Sequence, residues 1–428
     1  MTPAAASTPL LKQRNFAALW WGQLISILGE RLTYLALIGL LAVHTDHFRD
    51  PGSSWLLSLL ANVMLAPVLL FAPFTGAWVD RWNLRRVLIV SDALRGLVVL
   101  SIPYLYALSH GVAPVFVQVF VLFTCNVFFL PAKSAITPEI VPPSQLLGAN
   151  ALLAMAGIAA TAVGALAGGW VVDHLGWGVA LEINAATYLV SVIALAVIEY
   201  RVPVHPRVEG PRGWPGYLRE VAEGWQVLRS STRVGLGLTA LAAVWMGGGF
   251  LHVAGNQHIQ RAASVPGMER LGVLMCALGL GSGLSTWWVN TYGRAVPRPL
   301  LLGIGLLAAG AGIAAFAVST RFGVFAASAF VVGVCVAPAF MLSETLLQEG
   351  AEPRQRGRVF SVRDFLMRLL FLVTVTLAAW LTRAYGTRGA LLACAGIVAL
   401  AGALAMAWGA RDPDLMRAVP ARQAGRED

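Results

Sequence analysis

Long apolar runs, separated by short polar segments, recur along the whole 428-residue chain. An α-helix needs about 20 predominantly apolar residues to cross the hydrocarbon core of a bilayer, and each run reaches roughly that length. The pattern predicts an all-α membrane protein. Its twelve expected spans are residues 16–44, 55–79, 87–108, 113–132, 146–172, 179–200, 234–258, 271–290, 299–319, 322–348, 359–382 and 388–410.

The longest polar segment lies between the sixth and seventh spans and divides the chain into two halves. We predict an N-terminal six-helix bundle over residues 1–200, a cytoplasmic linker over 201–233 and a C-terminal six-helix bundle over 234–428. The apolar residues of the linker repeat at helical spacing, which predicts a short amphipathic helix on the membrane surface. These residues are Leu218, Val221, Trp225 and Leu228.

Short motifs repeat between the two halves at nearly constant offsets. Trp78 is followed by valine, as is Trp288 at an offset of 210 residues, and Pro131 is followed by alanine, as is Pro338 at an offset of 207. Offsets near half the chain length indicate duplication of a six-span unit. Such a parallel repeat is typical of transporters that move two bundles around a central cavity.

The composition agrees with a membrane protein and excludes an ordinary water-soluble one. Hydrophobic residues make up 57% of the chain and charged residues only 12%, and the mean hydropathy is +0.71. Of the 31 lysines and arginines, 22 lie on one side of the predicted spans, six on the other and three within them. The positive-inside rule then places both termini in the cytoplasm, with the chain in the cell membrane. Because the arginines form short clusters between apolar runs, we expect a lipid bilayer rather than nucleic acid as the partner.

The sequence contains no pattern of an enzyme. The four cysteines lie singly in different apolar runs, without a CxxC pair, and neither a phosphate-binding loop nor a cluster of metal ligands occurs. We therefore expect no cofactor, no metal and no ATPase. Energy for transport must then come from an ion gradient or from the gradient of the substrate.

A polar stripe follows one face of the first span. Gln23, Ser26, Glu30 and Tyr34 recur every three or four residues, so they are expected to face a water-filled cavity. Glu30 lies near the middle of the span, where a carboxylate can serve as a proton carrier. Arg31, the next residue, points about 100° away around the helix, so the two side chains are not expected to pair with each other. The partner of Glu30 is therefore expected on another helix. Glu30 and Arg31 are candidates for coupling or substrate contact, and a purely structural ion pair is the alternative.

Other ionisable residues also fall within spans. Asp92 and Arg95 are three residues apart, close enough to pair on one helix face, and we interpret them as a structural ion pair. Glu344 and Arg368 are candidates for the cavity in the second half. Asp364 lies four residues before Arg368 and is expected to neutralise it.

The seventh span combines the glycine triplet 247–249 with His252 and Asn256. Three glycines permit bending, and the two polar side chains can donate and accept hydrogen bonds. We interpret this segment as a gate helix whose polar residues contact the cavity. An ordinary polar helix end near the outer headgroups is the alternative.

Residues 76–86 read Gly-Ala-Trp-Val-Asp-Arg-Trp-Asn-Leu-Arg-Arg. This segment resembles the cytoplasmic loop signature G-x-x-x-D-R-x-x-R-R of the major facilitator superfamily, with three residues in place of two between Arg81 and Arg85. Asn83 is expected in a left-handed turn. The resemblance implies two six-helix bundles that expose a cavity alternately to each side. It also implies a cytoplasmic gate, in which the acid joins a charge network that latches the bundles; the gate residues are Gly76, Asp80, Arg81, Arg85 and Arg86. The alternative is that these cations only set the topology.

Further segments resemble the macrolide and siderophore exporters of this superfamily, among them residues 19–23, 131–134 and 347–349. The same segments are similar to the bacterial lysophospholipid transporter. Residues 164–169 resemble the antiporter signature G-P-x-x-G-G, but Ala165 replaces the proline, which weakens the case for antiport.

These observations predict a secondary transporter that works as a monomer and exports a small amphipathic compound, such as a drug or a siderophore, using protons. One alternative is movement of lysophospholipid, for which Arg31 or Arg368 would bind the headgroup. A membrane receptor or scaffold without transport is the other.

Overall fold

A computed structural model describes residues 9–50, 52–79, 81–200, 232–262, 267–293, 296–350 and 356–411. Every regular element longer than a single turn in these ranges is a helix. The helices are α1 (Arg14–His44), α2 (Ser53–Val79), α3 (Leu84–Ser109), α4 (Ala113–Ile140), α5 (Leu146–Leu175), α6 (Trp177–Val197), α7 (Thr232–Phe250), α8 (Asn256–Ala262), α9 (Met268–Tyr292), α10 (Arg298–Val318), α11 (Phe322–Gly350) and α12 (Arg356–Arg411). The predicted linker helix lies outside the described residues.

Eleven helical segments in the described ranges are long and apolar enough to cross a membrane. One of them joins α7 to α8 through a π-helical turn at Leu251–Gly255. The 56-residue α12 is not continuous, because Gly386 has φ +74° and ψ 170°, a backbone conformation outside the helical region. Gly386 divides α12 into two arms, each long enough to cross. The described residues therefore form an all-α membrane fold, as predicted, with enough helix for twelve crossings.

The fourth span is longer than the sequence pattern predicts. We expected it to end at residue 132, next to Pro131, but α4 continues to Ile140 with Pro131 and Pro138 inside it. Proline interrupts a helix less severely in a membrane protein, because neighbouring groups satisfy the freed backbone carbonyls. The duplicated Pro338 likewise lies inside α11.

The described residues form two compact units. Unit 1 consists of the described residues within Met1–Asp46, Asn62–Tyr217 and Gly267–Cys276. Unit 2 consists of the described residues within His47–Ala61, Leu218–Pro266 and Ala277–Asp428. The unit borders therefore fall within α2 and α9 as well as in the region between α6 and α7.

Helix α1 is the centre of unit 1 and packs closely against α5 and α6. Glycines make this approach possible. A Cβ atom at Gly164 of α5 would lie 2.9 Å from the carbonyl oxygen of Leu28, and one at Gly29 of α1 would overlap the Asn184 side chain of α6. Small residues at such crossings let helix backbones approach within van der Waals contact, which is the main attraction between helices in lipid.

Unit 2 uses the same device between α10 and the second arm of α12. A Cβ atom at Gly310 would lie 2.9 Å from the carbonyl oxygen of Ala395, and one at Gly402 would lie 2.8 Å from that of Gly303. Helix α12 also packs against α7, and α11 packs against α10 and α7.

Candidate functional site

Unit 1 contains a cavity of about 170 Å³, which we call the charged cavity. Helices α1, α2, α3, α4 and α6 all contribute to its lining. The ionisable and polar side chains that line it are Glu30, Arg31, Thr33, Tyr34, Arg95, Asn126 and Tyr188.

Arg95 joins several of these helices. Its Nη1 donates to Glu30 Oε1 of α1 at 2.8 Å and to Asn126 Oδ1 of α4 at 3.4 Å, and its Nη2 donates to Asp92 on its own helix. The guanidinium carbon also lies 4.3 Å from the ring centre of Phe129 and 4.7 Å from that of Tyr188. A buried guanidinium held by carboxylates and aromatic faces has its charge well compensated.

The two carboxylates of this network have different surroundings. The side chain of Asp92 is fully buried and its Oδ2 accepts a hydrogen bond of 2.6 Å from Ser191 of α6, whereas the side chain of Glu30 is 30% exposed. Both pair with Arg95. Asp92 is therefore enclosed by protein on α3 and α6, while Glu30 meets the charged cavity.

Arg31 is a second cation of the charged cavity. Its stem lies against Gly164, where a Cβ atom would come within 3.1 Å of the Arg31 Cγ. Its Nε is buried and has no hydrogen-bond partner among the described residues. No carboxylate of the described residues forms a salt bridge with Arg31.

The predicted polar stripe of α1 reaches the cavity only in part. Glu30 and Tyr34 line it, but Gln23 and Ser26, although buried, do not. The reason is the rise of the helix, because Gln23 lies seven residues, roughly 10 Å, along the axis from Glu30. These two side chains instead lie in the packed part of α1.

Unit 2 contains a larger cavity of about 270 Å³, which we call the apolar cavity. Its lining is almost entirely apolar and includes Trp245, Leu251, Phe340 and Phe371. The backbone of Gly247 and Gly248 also lines it, so the glycine triplet borders a cavity without the polar character that we expected.

The predicted polar residues of this region lie elsewhere in unit 2. His252 is in the π-helical turn, and the Asn256 amide donates to the His252 carbonyl oxygen at 2.6 Å. Neither residue lines the apolar cavity. His252 lies four residues and Asn256 eight residues beyond Gly248, and the π-helical turn at Leu251–Gly255 alters the direction of their side chains.

The acidic residues of α11 and α12 pair with a cation that the sequence analysis had not selected. Glu344 accepts a hydrogen bond from Arg363, which also donates to Asp364 at 2.7 Å. The expected pair of Asp364 with Arg368 is wrong, because Asp364 is oriented toward its sequence neighbour. Among the described residues Arg368 forms no salt bridge, and it lines neither cavity.

The predicted cytoplasmic gate is described only in part. Gly76 lies in α2 and Asp80 lies outside the described residues, while Arg81 and Arg86 are exposed. Arg85 donates to the carbonyl oxygens of Leu195, at 3.2 Å, and Ala196 at the end of α6. In the described residues, therefore, Arg85 caps a helix.

Asn83 corrects the expectation of a left-handed turn. Its φ of −69° and ψ of 110° are extended, and its side chain accepts a hydrogen bond of 3.1 Å from the backbone N–H of Arg86. Asn83 is thus the N-cap of α3, a position that asparagine favours.

Comparison with known proteins decides the family. The profile of the Major Facilitator Superfamily matches residues 19–294 and 270–427. The chain belongs to this superfamily. Macrolide efflux protein A of Streptococcus pyogenes is 25% identical over 410 residues, covering 90% of this chain and 95% of that protein. A putative bacilysin exporter of Bacillus subtilis is 25% identical, covering 82% and 84%.

The solved structure of a bacterial homolog of the human lysosomal transporter Spinster, in an inward-facing and occupied conformation, matches with a TM-score of 0.73 at 13% identity. It covers 97% of this chain and 100% of that structure. As a member of the superfamily, the chain is a multi-span membrane transporter with a small-molecule substrate, and relatives of similar length are named as efflux proteins.

Three polar residues of the charged cavity network were not selected from the sequence. Asn126 is an amide inside an otherwise apolar stretch of α4, and Tyr188 and Ser191 are polar residues three apart on α6. Their intramembrane position was the available signal, since a polar side chain in hydrocarbon needs a partner.

Proposed function

We propose that this transporter exports a small amphipathic compound by alternating access, driven by protons, and that Glu30 is the coupling carboxylate. The observation that supports the proposal is the difference between the two acids of Arg95. Glu30 is in contact with the charged cavity and also pairs with a buried cation, whereas Asp92 is enclosed. Of these two acids, only Glu30 can exchange a proton with the charged cavity while the protein around Asp92 stays closed.

Protonation of Glu30 changes the charge of the network without leaving Arg95 unpaired. A neutral Glu30 loses its attraction to Nη1, while Asp92 continues to hold Nη2. The other charged groups around Glu30 are Arg31 in the lining and Lys133 of α4, which interacts with Glu30 electrostatically. Proton uptake by Glu30 therefore weakens its bond to Arg95 Nη1.

One proton provides enough energy for useful export. Moving one charge through 100 mV supplies about 2.3 kcal/mol, which is roughly a fiftyfold concentration ratio. In the same proposal both termini face the cytoplasm, the chain functions as a monomer in the cell membrane, and Gly76, Asp80, Arg81, Arg85 and Arg86 form the cytoplasmic gate.

The apolar cavity supports an amphipathic substrate. Its lining offers ring and aliphatic surface from Trp245, Phe340 and Phe371 and almost no polar atoms. Burial of an apolar group there gains about 25 cal/mol for each Å² removed from water. The same observation favours the second candidate function, transport of lysophospholipid, because an acyl chain also suits such a lining.

The test uses purified protein in sealed proteoliposomes with a pH gradient imposed in either direction. The substrate panel contains a carboxylate siderophore and a labelled lysophospholipid. We expect gradient-driven flux of a panel compound by the wild type and its loss in Glu30→Gln, while flux down the compound's own gradient continues. Glu199→Gln is the matched control, since Glu199 pairs with Arg14 on the exposed surface.

Gradient-driven flux that persists in a folded Glu30→Gln protein would show that Glu30 is not the coupling residue. Flux of lysophospholipid alone, with none of the siderophore, would favour the second function.

A further inference from the structure

We propose that the charged cavity selects substrates with an anionic group, and that Arg31 is the residue that binds this group. The inference deepens the proposed function and rests on it only in taking the bound compound to be the one transported. The anionic group is a carboxylate or a phosphate, carried either by a soluble amphiphile or by a lipid headgroup.

The distribution of charge around the cavity is the first support. Glu30 and Asp92 are both engaged by Arg95. Arg31 adds a second cation to the lining of the cavity, and Lys133 of α4 interacts electrostatically with Glu30. The lining thus holds two arginines and one carboxylate, and the excess is positive.

The position of Arg31 is the second support. The stem of Arg31 lies next to Gly164 of α5, and the residue also lines the cavity. Its buried Nε is a donor without an acceptor among the described residues. An unsatisfied buried donor carries a desolvation penalty, which an incoming carboxylate or phosphate oxygen would remove. A guanidinium suits this role because its N–H groups form a planar fork that matches both anions.

The rest of the lining is consistent with an anionic group. Tyr34 and Asn126 contribute a neutral hydroxyl and amide, and a cavity of about 170 Å³ has room for a carboxylate or phosphate group with few waters. A cationic group would find a single exposed acid, Glu30, already bonded to Arg95, and would approach two arginines. Like-charge repulsion in a partly buried site disfavours that binding.

The test is calorimetric binding to purified protein in maltoside micelles, with no ion gradient. The probes share one chain length and differ in headgroup: octyl phosphate, octanoate and octylammonium. We expect the wild type to bind the two anionic probes more tightly than octylammonium. Arg31→Gln should weaken anion binding roughly ten- to hundredfold, the loss expected for a charged hydrogen bond. Arg383→Gln, which removes an exposed arginine of α12, should have no effect.

Arg31→Lys keeps the positive charge but loses the planar arrangement of N–H groups, so this variant should retain part of the preference for anions. It also keeps the proposal testable if the glutamine variant does not fold. Inorganic phosphate and lysophosphatidylglycerol separate the two sources of the anionic group. Binding of octyl phosphate and inorganic phosphate would assign a soluble substrate, and binding of the lysolipid in preference to both would assign a lipid headgroup.

The proposal is overturned if octylammonium binds the wild type as tightly as the anions do, or if Arg31→Gln binds the anions unchanged. These results do not depend on proton coupling. Loss of the anion preference in Arg31→Gln together with persistent gradient-driven flux in Glu30→Gln would refute the proposed coupling role and leave the anion site intact.

Discussion

Replacing Asp92 with asparagine should destabilise the protein far more than replacing Glu30 with glutamine, although both changes turn a carboxylate partner of Arg95 into an amide. The two side chains differ in exposure, since that of Asp92 is fully buried and that of Glu30 is 30% exposed. Asp92 also accepts a hydrogen bond from Ser191. An amide nitrogen in place of Oδ2 cannot accept that bond.

The expected loss in the free energy of unfolding depends on which groups each variant leaves without a partner. Without the Asp92 charge, the fully buried end of Arg95 loses its ionic partner, and breaking a buried pair in this way costs about 3–5 kcal/mol. In Glu30→Gln the amide oxygen can still accept from Nη1 at a site that contacts the cavity, so the cost is about 1 kcal/mol. We therefore expect a difference of roughly 2–4 kcal/mol between the two variants.

The assay is reversible unfolding in mixed micelles with increasing denaturing detergent, followed by circular dichroism. Glu199→Gln again provides the surface control, because its partner Arg14 is exposed. Equal destabilisation by Asp92→Asn and Glu30→Gln, or a larger effect of the latter, would refute the division of roles between the enclosed and the cavity-facing acid.

Two glycines give further predictions. Gly29→Ala should destabilise the protein by about 1–3 kcal/mol, because its Cβ would overlap Asn184 and the packed α1–α6 crossing has to move. The same unfolding assay checks this, and Gly279→Ala, whose Cβ would meet nothing within 4 Å, should be neutral or slightly stabilising; equal loss in both would contradict the packing argument. Gly386→Ala should cost about 1–3 kcal/mol, because φ +74° with ψ 170° lies in a backbone region that essentially only glycine occupies, although the added Cβ would meet nothing within 4 Å. Gly386→Asn should recover none of that loss, since asparagine tolerates the left-handed helical region and not this one, and an alanine variant as stable as the wild type would show that the bend does not need glycine.

Much of the architecture could be predicted from the sequence, because length and hydropathy constrain membrane helices strongly. The twelve crossings and the pairing of Asp92 with Arg95 required only periodicity and spacing. That the partner of Glu30 lies on another helix also followed from helix geometry, but its identity as Arg95 did not. Which helices are neighbours is a tertiary property, and a single sequence does not contain it.

The expectations that the structure overturns also have physical reasons. Spacing of four residues suggested that Asp364 pairs with Arg368, but the position of α11 brings Glu344 to Arg363, and Arg363 then attracts Asp364 as well. The end of the fourth span was wrong because the apolar run stops before Lys133, whereas helix α4 continues past that charge to Ile140. The function of each candidate site residue stays a prediction until the variants are measured.

The spacing of Asp92 and Arg95 bears on how the protein is made. A lone Arg or Asp at the centre of a helix opposes insertion by about 2.5–3.5 kcal/mol on the translocon scale. Helix α3 presents both charges three residues apart, already bonded to each other, so the two groups neutralise one another before α4 and α6 have been synthesised. The nascent helix can thus enter the bilayer as a nearly neutral segment, and the arginine becomes available to Asn126 and Tyr188 only as the later helices assemble around it.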